Sequence, residues 1–168
     1  LFTGNNLVVM SLVDGHITAA QLMRNWVIVF AGNFVGAISV VLMVWFARGW
    51  ELGGSEVGVS ALSIAAGKTA LPFEVVFVRG ILCNVLVCLA VWLSFACRDV
   101  AGKILAIVFP IAAFVALGFE HSVANLYLLS IGDLAAGRAI DIGAMLRNLV
   151  PVTLGNIIGG GGLVALIY

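Results

Sequence analysis

Residues 118–127 read GFEHSVANLY, with Glu120 and His121 side by side between two apolar stretches. Imidazole changes charge near neutral pH, so a histidine held at depth in an apolar segment can give up or accept a proton. Glu120 points to a different side from His121, and we expect it to be structural, bonding freed backbone N–H groups or the amide of Asn125. Lys68, in AAGKTALPF, either snorkels to the membrane interface or places a positive charge at a pore mouth that draws anions inward. Asn84, in the middle of an apolar segment, either donates a hydrogen bond to an anion or joins helices. Thr3, in the opening LFTGNN, either re-satisfies backbone groups or bonds an imidazole nitrogen of His121 and fixes its tautomer. His16 falls in a loop and is assigned nothing.

The chain around these residues is 63% hydrophobic and 10% charged over 168 residues, with a mean hydropathy of +1.22. A soluble domain carries about 25% charged residues, so there is too little polar surface here to cover a globule in water. The composition is that of an integral, all-α membrane protein. Zero net charge gives nucleic acid no handle. Cys83, Cys88 and Cys97 lie in or beside one apolar segment without CxxC spacing, and read as packing residues. With two histidines, no acidic pair at depth and no metal spacing, the sequence predicts neither an enzyme nor a cofactor.

A spanning helix needs about 20 mostly apolar residues. Residues 26–47, 73–96 and 149–168 qualify, although Pro151 and the glycines at 159–162 loosen the last. Residues 104–131 are long enough but interrupted at 118–125, and residues 1–13 make half a span ending at Asp14-Gly15. Arg24, Arg98 and Lys103 fall on one side, and Arg48, Lys68, Arg79, Arg138 and Arg147 on the other, which leaves orientation open. Leu1 begins inside an apolar run without an initiator methionine, which predicts a fragment.

The segments RNWVIVFAGNFVGA (24–37) and RNLVPVTLGNIIGG (147–160) share RN-x6-GN-x2-G at an offset of 123 residues. LFTGNN precedes the first copy and FEHSVAN the second at similar distances. A duplication with three spans per repeat makes the halves run oppositely through the bilayer, with the site where the two broken helices meet. We expect one transmembrane domain over 1–168, its first repeat partial (1–50) and its second over 68–168. The first repeat would then lack a helix and half of a broken one. Gly32, Gly36, Gly155 and Gly159 have the small-xxx-small spacing that lets helices approach closely.

These residues resemble the formate/nitrite transporter family along the whole chain. LFTGNN is similar to the family's first broken-helix loop, RNWVIVFAGNFVGA to its third span and ILCNVLVCLAVW to its fourth. FPIAAFVALGFEHSVAN resembles the fifth, with the signature histidine, and NLVPVTLGNIIGG the sixth. The resemblance implies an aquaporin-like inverted repeat, a homopentamer with one pore per protomer, and passage of small monovalent anions. It implies His121 as central proton donor, Thr3 as its partner, Lys68 as vestibule cation and Asn84 beside the path. Phe114 and Leu1 would belong to the flanking apolar constrictions. It also implies a bacterial cytoplasmic membrane, with Arg24, Arg98 and Lys103 on the cytoplasmic side and Lys68 outside. The family's first helix and the first half of its second have no counterpart, so some constriction residues cannot be carried over. Formate is the expected anion and protons the expected co-substrate; nitrite, hydrosulfide, or a channel in which His121 only gates, are the alternatives. A membrane scaffold without transport would need Lys68 and His121 to tolerate leucine without loss of flux.

Overall fold

The computed structural model of the protein describes residues 3–167, with side chains from residue 4 onward. Leu1 and the side chain of Thr3 lie outside the described residues. The described chain is all helical. Two short helices, α1 (Thr3–Leu7) and α2 (Val9–Val13), form an apolar half span. Thr18 then caps α3 (Ala19–Phe46): its side chain accepts from the Gln21 N–H while the Gln21 side chain accepts from the Thr18 N–H at 2.8 Å. At 28 residues, α3 is roughly 42 Å long, enough to cross a bilayer at a tilt. A turn at Gly49–Glu51 leads to α4 (Glu56–Thr69), and Pro72 starts α5 (Phe73–Ala96).

Asp99 caps α6 (Val100–Ala116) through the Gly102 N–H at 2.7 Å, and α7 (Ser122–Ala135) follows after a break of five residues, 117–121. Asp141 caps α8 (Ile142–Ile157) by accepting from the Ala144 N–H at 2.9 Å, and α8 runs on into a π-helical stretch, Ile158–Val164. Among the described residues, three helical runs are long and apolar enough to cross a membrane: Ala19–Phe46, Phe73–Ala96 and Ile142–Val164.

The span expected at 73–96 is α5. The helices expected at 26–47 and 149–168 each begin seven residues earlier, because a cap and a polar first turn carry them past the apolar stretch. The two caps, Thr18 and Asp141, are themselves 123 residues apart, so the repeat includes them. The break is narrower than the expected 118–125, since residues 122–125 already form the first turn of α7. Helix α4, at 14 residues, is too short for a span criterion to find. It is held by α7, where a Cβ on Gly132 would run into Ala65 and the Ala61 carbonyl.

Helix α7 lies at the centre, with a core of Ala37, Ala65, Leu126, Leu129, Met145 and Leu149 drawn from α3, α4, α7 and α8. Helices α5 and α8 approach backbone to backbone. A Cβ on Gly155 would run into the Phe77 carbonyl, and one on Gly159 into the Ile81 carbonyl. Gly32 and Gly36, which share that spacing, have nothing within 4 Å of an added Cβ among the described residues. The two half-helices make similar hydrogen bonds. Asn5 Nδ2 donates to Asn25 Oδ1 at 2.6 Å, and Asn125 Nδ2 donates to Asn148 Oδ1 at 2.7 Å. Each half-helix is thus tied to the asparagine of its own RN motif.

Candidate transport site

A helix cannot break inside a bilayer unless every freed backbone group finds a partner. At 117–121 most do. The Leu117 N–H donates to the Ala113 carbonyl, Gly118 to Val115 (3.1 Å) and Phe119 to Phe114 (3.0 Å), with Gly118 at φ 65 turning the chain. The Glu120 N–H reaches the Arg79 carbonyl on α5 at 3.4 Å. Asn156 closes the other side. Its Oδ1 accepts from the Ser122 N–H (2.9 Å), and its Nδ2 donates to the Gly80 (2.9 Å) and Glu120 (3.0 Å) carbonyls. Its own carbonyl accepts from Asn84 Nδ2 at 2.7 Å and from Asn6 Nδ2 at 3.2 Å. One buried asparagine therefore pins both sides of the break to α5 and α1.

His121 is the N-cap of α7. Its Nδ1 accepts from the Ala124 N–H at 3.4 Å and its carbonyl from the Asn125 N–H at 2.9 Å. With Nδ1 an acceptor, the neutral ring carries its proton on Nε2. The Phe114 ring centroid lies 6.1 Å from the imidazole. The ring also sits at the positive end of the α7 dipole, where an anion is favoured.

Glu120 is buried at 1% side-chain exposure. Its Oε1 accepts from Lys68 Nζ at 2.8 Å and its Oε2 from Asn125 Nδ2. Asn148 Oδ1 accepts from Asn125, and Asn148 Nδ2 donates to the Lys68 carbonyl at 3.2 Å. The bonds close a ring, Lys68–Glu120–Asn125–Asn148–Lys68, through α4, the break, α7 and α8. The Lys68 side chain is 14% exposed, and a cavity of about 480 Å³ lined in part by Lys68, Arg147 and Asn148 opens beside it.

The structure thus brings Lys68, Glu120 and Asn125 together in one ring, and sets the Phe114 ring beside His121. Asn84 is fully buried between α5 and α8 and bonds Asn156. Leu1 and the Thr3 side chain lie outside the described residues. Sequence reasoning missed two members, Asn148 and Asn156. Both stand in the RN-x6-GN-x2-G repeat, where only the glycines were weighed. A duplicated asparagine inside an apolar helix was the available signal.

The profile of the formate/nitrite transporter family matches residues 1–168. The chain belongs to that family. Formate channel FocA of Escherichia coli (strain K12) is 39% identical over 186 residues, covering all of this chain and 65% of that protein. A solved structure described as an FNT family ion channel superposes with a TM-score of 0.86 at 34% identity, covering 100% of this chain and 67% of that one. Another, described as a pentameric formate channel with formate bound, has a TM-score of 0.81 at 34% identity over 88% of this chain and 65% of that one. The chain thus spans under two thirds of the length of the curated relatives it matches, 65% for the E. coli channel. Formate/nitrite transporter membership and the three long apolar helices make it a multi-pass membrane protein.

Proposed function

We propose that this chain is the larger part of a pore for small monovalent weak-acid anions, formate first, in which His121 passes a proton to the anion. The observation that carries the reading is His121 as the cap of a half-helix that begins at the break, its Nδ1 engaged by the Ala124 N–H. The donor is the imidazolium, formed when a proton enters and Nδ1 is released from that bond, and loss of one ring proton to the anion returns the neutral imidazole. An anion must shed water to pass an apolar neck such as the one Phe114 borders, and an isolated carboxylate there costs many kcal/mol. The neutral acid is scarce in bulk: with a pKa of about 3.5–4, roughly one molecule in a thousand is protonated at pH 7. Desolvation in the neck raises the anion's own proton affinity, so the transfer happens where it is needed. The N-terminal end of α7 concentrates the anion, Lys68 beside the cavity adds only the part of its charge that Glu120 leaves uncompensated, and the neutral acid then crosses the neck.

The pore works in a homopentamer in the bacterial cytoplasmic membrane, with one path per protomer. Nitrite and hydrosulfide differ from formate too little in size and charge for the lining to separate them. A competitive flux assay with the three anions ranks them. The proton-transfer step is tested by formate flux in proteoliposomes against external pH. Uptake should rise as external pH falls and stay electroneutral. His121→Phe, with the fold intact, should remove the acid stimulation; unchanged stimulation, or a current carried by formate, would leave His121 only a gate.

A further inference from the structure

The span pattern puts Arg48, Lys68, Arg79, Arg138 and Arg147 on one side of the membrane. Among the described residues, three of these five end in ion pairs: Arg48 with Glu51 at 2.6 Å, Lys68 with Glu120 at 2.8 Å and Arg138 with Asp133 at 2.9 Å. Arg79 turns to the Gly118 carbonyl at 3.5 Å. Arg147 is exposed, and its guanidinium has neither an ion pair nor a hydrogen bond among the described residues. Opposite charges a few ångströms apart cancel at larger distances. A paired cation therefore attracts a passing anion weakly, while an unpaired one keeps its whole charge.

Arg147 also stands where that charge can act. It lines the cavity of about 480 Å³ that Lys68 and Asn148 share. Asn148, the next residue, donates to the Lys68 carbonyl at 3.2 Å and so belongs to the buried ring beside the break. The arginine sits five residues beyond Ile142, the start of α8, about 8 Å along the helix. Its Nη1 lies 3.6 Å from where a Cβ on Gly143 would stand, so the side chain runs back toward the end of the span. Asp141 is the carboxylate at that end of α8; its Oδ1 accepts from the Ala144 N–H at 2.9 Å and makes no ion pair with Arg147. An arginine at this depth commonly anchors a helix among lipid headgroups. This one borders a cavity whose other polar walls are Lys68, Thr69 and Asn148.

We infer that Arg147, rather than Lys68, is the cation that draws small monovalent anions into this cavity. This rests on the anion-pore reading above and moves the recruiting charge to a different residue. Lys68 holds Glu120 and with it the break, while Arg147 raises the anion concentration at the mouth. The guanidinium stands in water, so its pull is modest and salt screens it.

The test is initial formate uptake by the full-length protein in proteoliposomes, measured against formate concentration. It is run at about 0.01 M and about 1 M ionic strength, where charges are screened over about 30 Å and about 3 Å. At low ionic strength Arg147→Gln should raise the half-saturating formate concentration about threefold and Arg147→Glu about sevenfold, the weight of one and two charges at about 7 Å in water. Saturating formate or high salt should erase both differences, and Arg147→Lys should match the parent. Three results would overturn the assignment and leave the pore reading standing: an unchanged half-saturating concentration in Arg147→Glu, a change that survives high salt, or a loss in Arg147→Lys equal to that in Arg147→Gln. A parent protein without formate uptake would overturn both.

Discussion

At the level of single residues, the site depends on how a carboxylate is kept charged inside a membrane protein. Glu120 has a cation and an amide on its two oxygens, and both partners are fixed by a further asparagine. A buried ion pair adds little to stability against apolar residues of the same size, but removing one partner strands the other charge at about 3–5 kcal/mol. Lys68→Met alone should therefore lower stability by about that amount. Lys68→Met with Glu120→Gln should recover most of it, because the glutamine still accepts from Asn125. Unfolding midpoints in detergent for the two variants and the parent check this, and equal losses in single and double variants would show that the pair is not coupled. His121 works differently. Its Nδ1 is occupied by the Ala124 N–H, so a second ring proton requires that bond to be released, and proton transfer is tied to the first turn of α7.

At the level of elements, packing turns on a few glycines and one asparagine. Helices in lipid gain little from apolar burial against each other, so close backbone approach and interhelical hydrogen bonds hold them. Gly155→Val and Gly159→Val drive a side chain into the α5 carbonyls and should cost about 1–3 kcal/mol each. Gly32→Ala and Gly36→Ala, whose added Cβ meets nothing within 4 Å, should change little. The four midpoints side by side are the measurement, and equal effects in the two repeats would contradict the asymmetry. Asn156→Ala strands the Ser122 N–H and the Glu120 carbonyl, at about 1–3 kcal/mol each, and removes a second donor from the Gly80 carbonyl. Formate flux should fall with it even though Asn156 lies behind the histidine, because the break loses its brace.

For the whole molecule, the broken segment decides the topology. If α6 and α7 cross as one interrupted span, residue 97 at the end of α5 and residue 138 beyond α7 lie on opposite faces of the membrane. Cys83 and Cys88 are buried while Cys97 is partly exposed, so a membrane-impermeant maleimide reads Cys97 in the native chain. Cys97 should label from one face only, and Arg138→Cys in a Cys97→Ser background only from the other. Labelling of both from the same face would mean that α6 and α7 form a re-entrant hairpin and the repeats are not inverted.

The sequence alone determined the membrane class, the α5 span, the position of the break, the RN-x6-GN-x2-G duplication and the family resemblance. These follow from signals that are local or periodic: apolar run length, an ionisable pair inside such a run, and polar residues recurring at fixed spacing. Tertiary structure decided the rest. Lys68 and Glu120 are 52 residues apart, and nothing local to either announces the other. Helix α4 is too short to be seen by span length, and Asn156 looks like an incidental amide until five bonds converge on it. In a medium without water every buried polar group must find a protein partner, and which one it finds is fixed only when glycine contacts bring distant helices together.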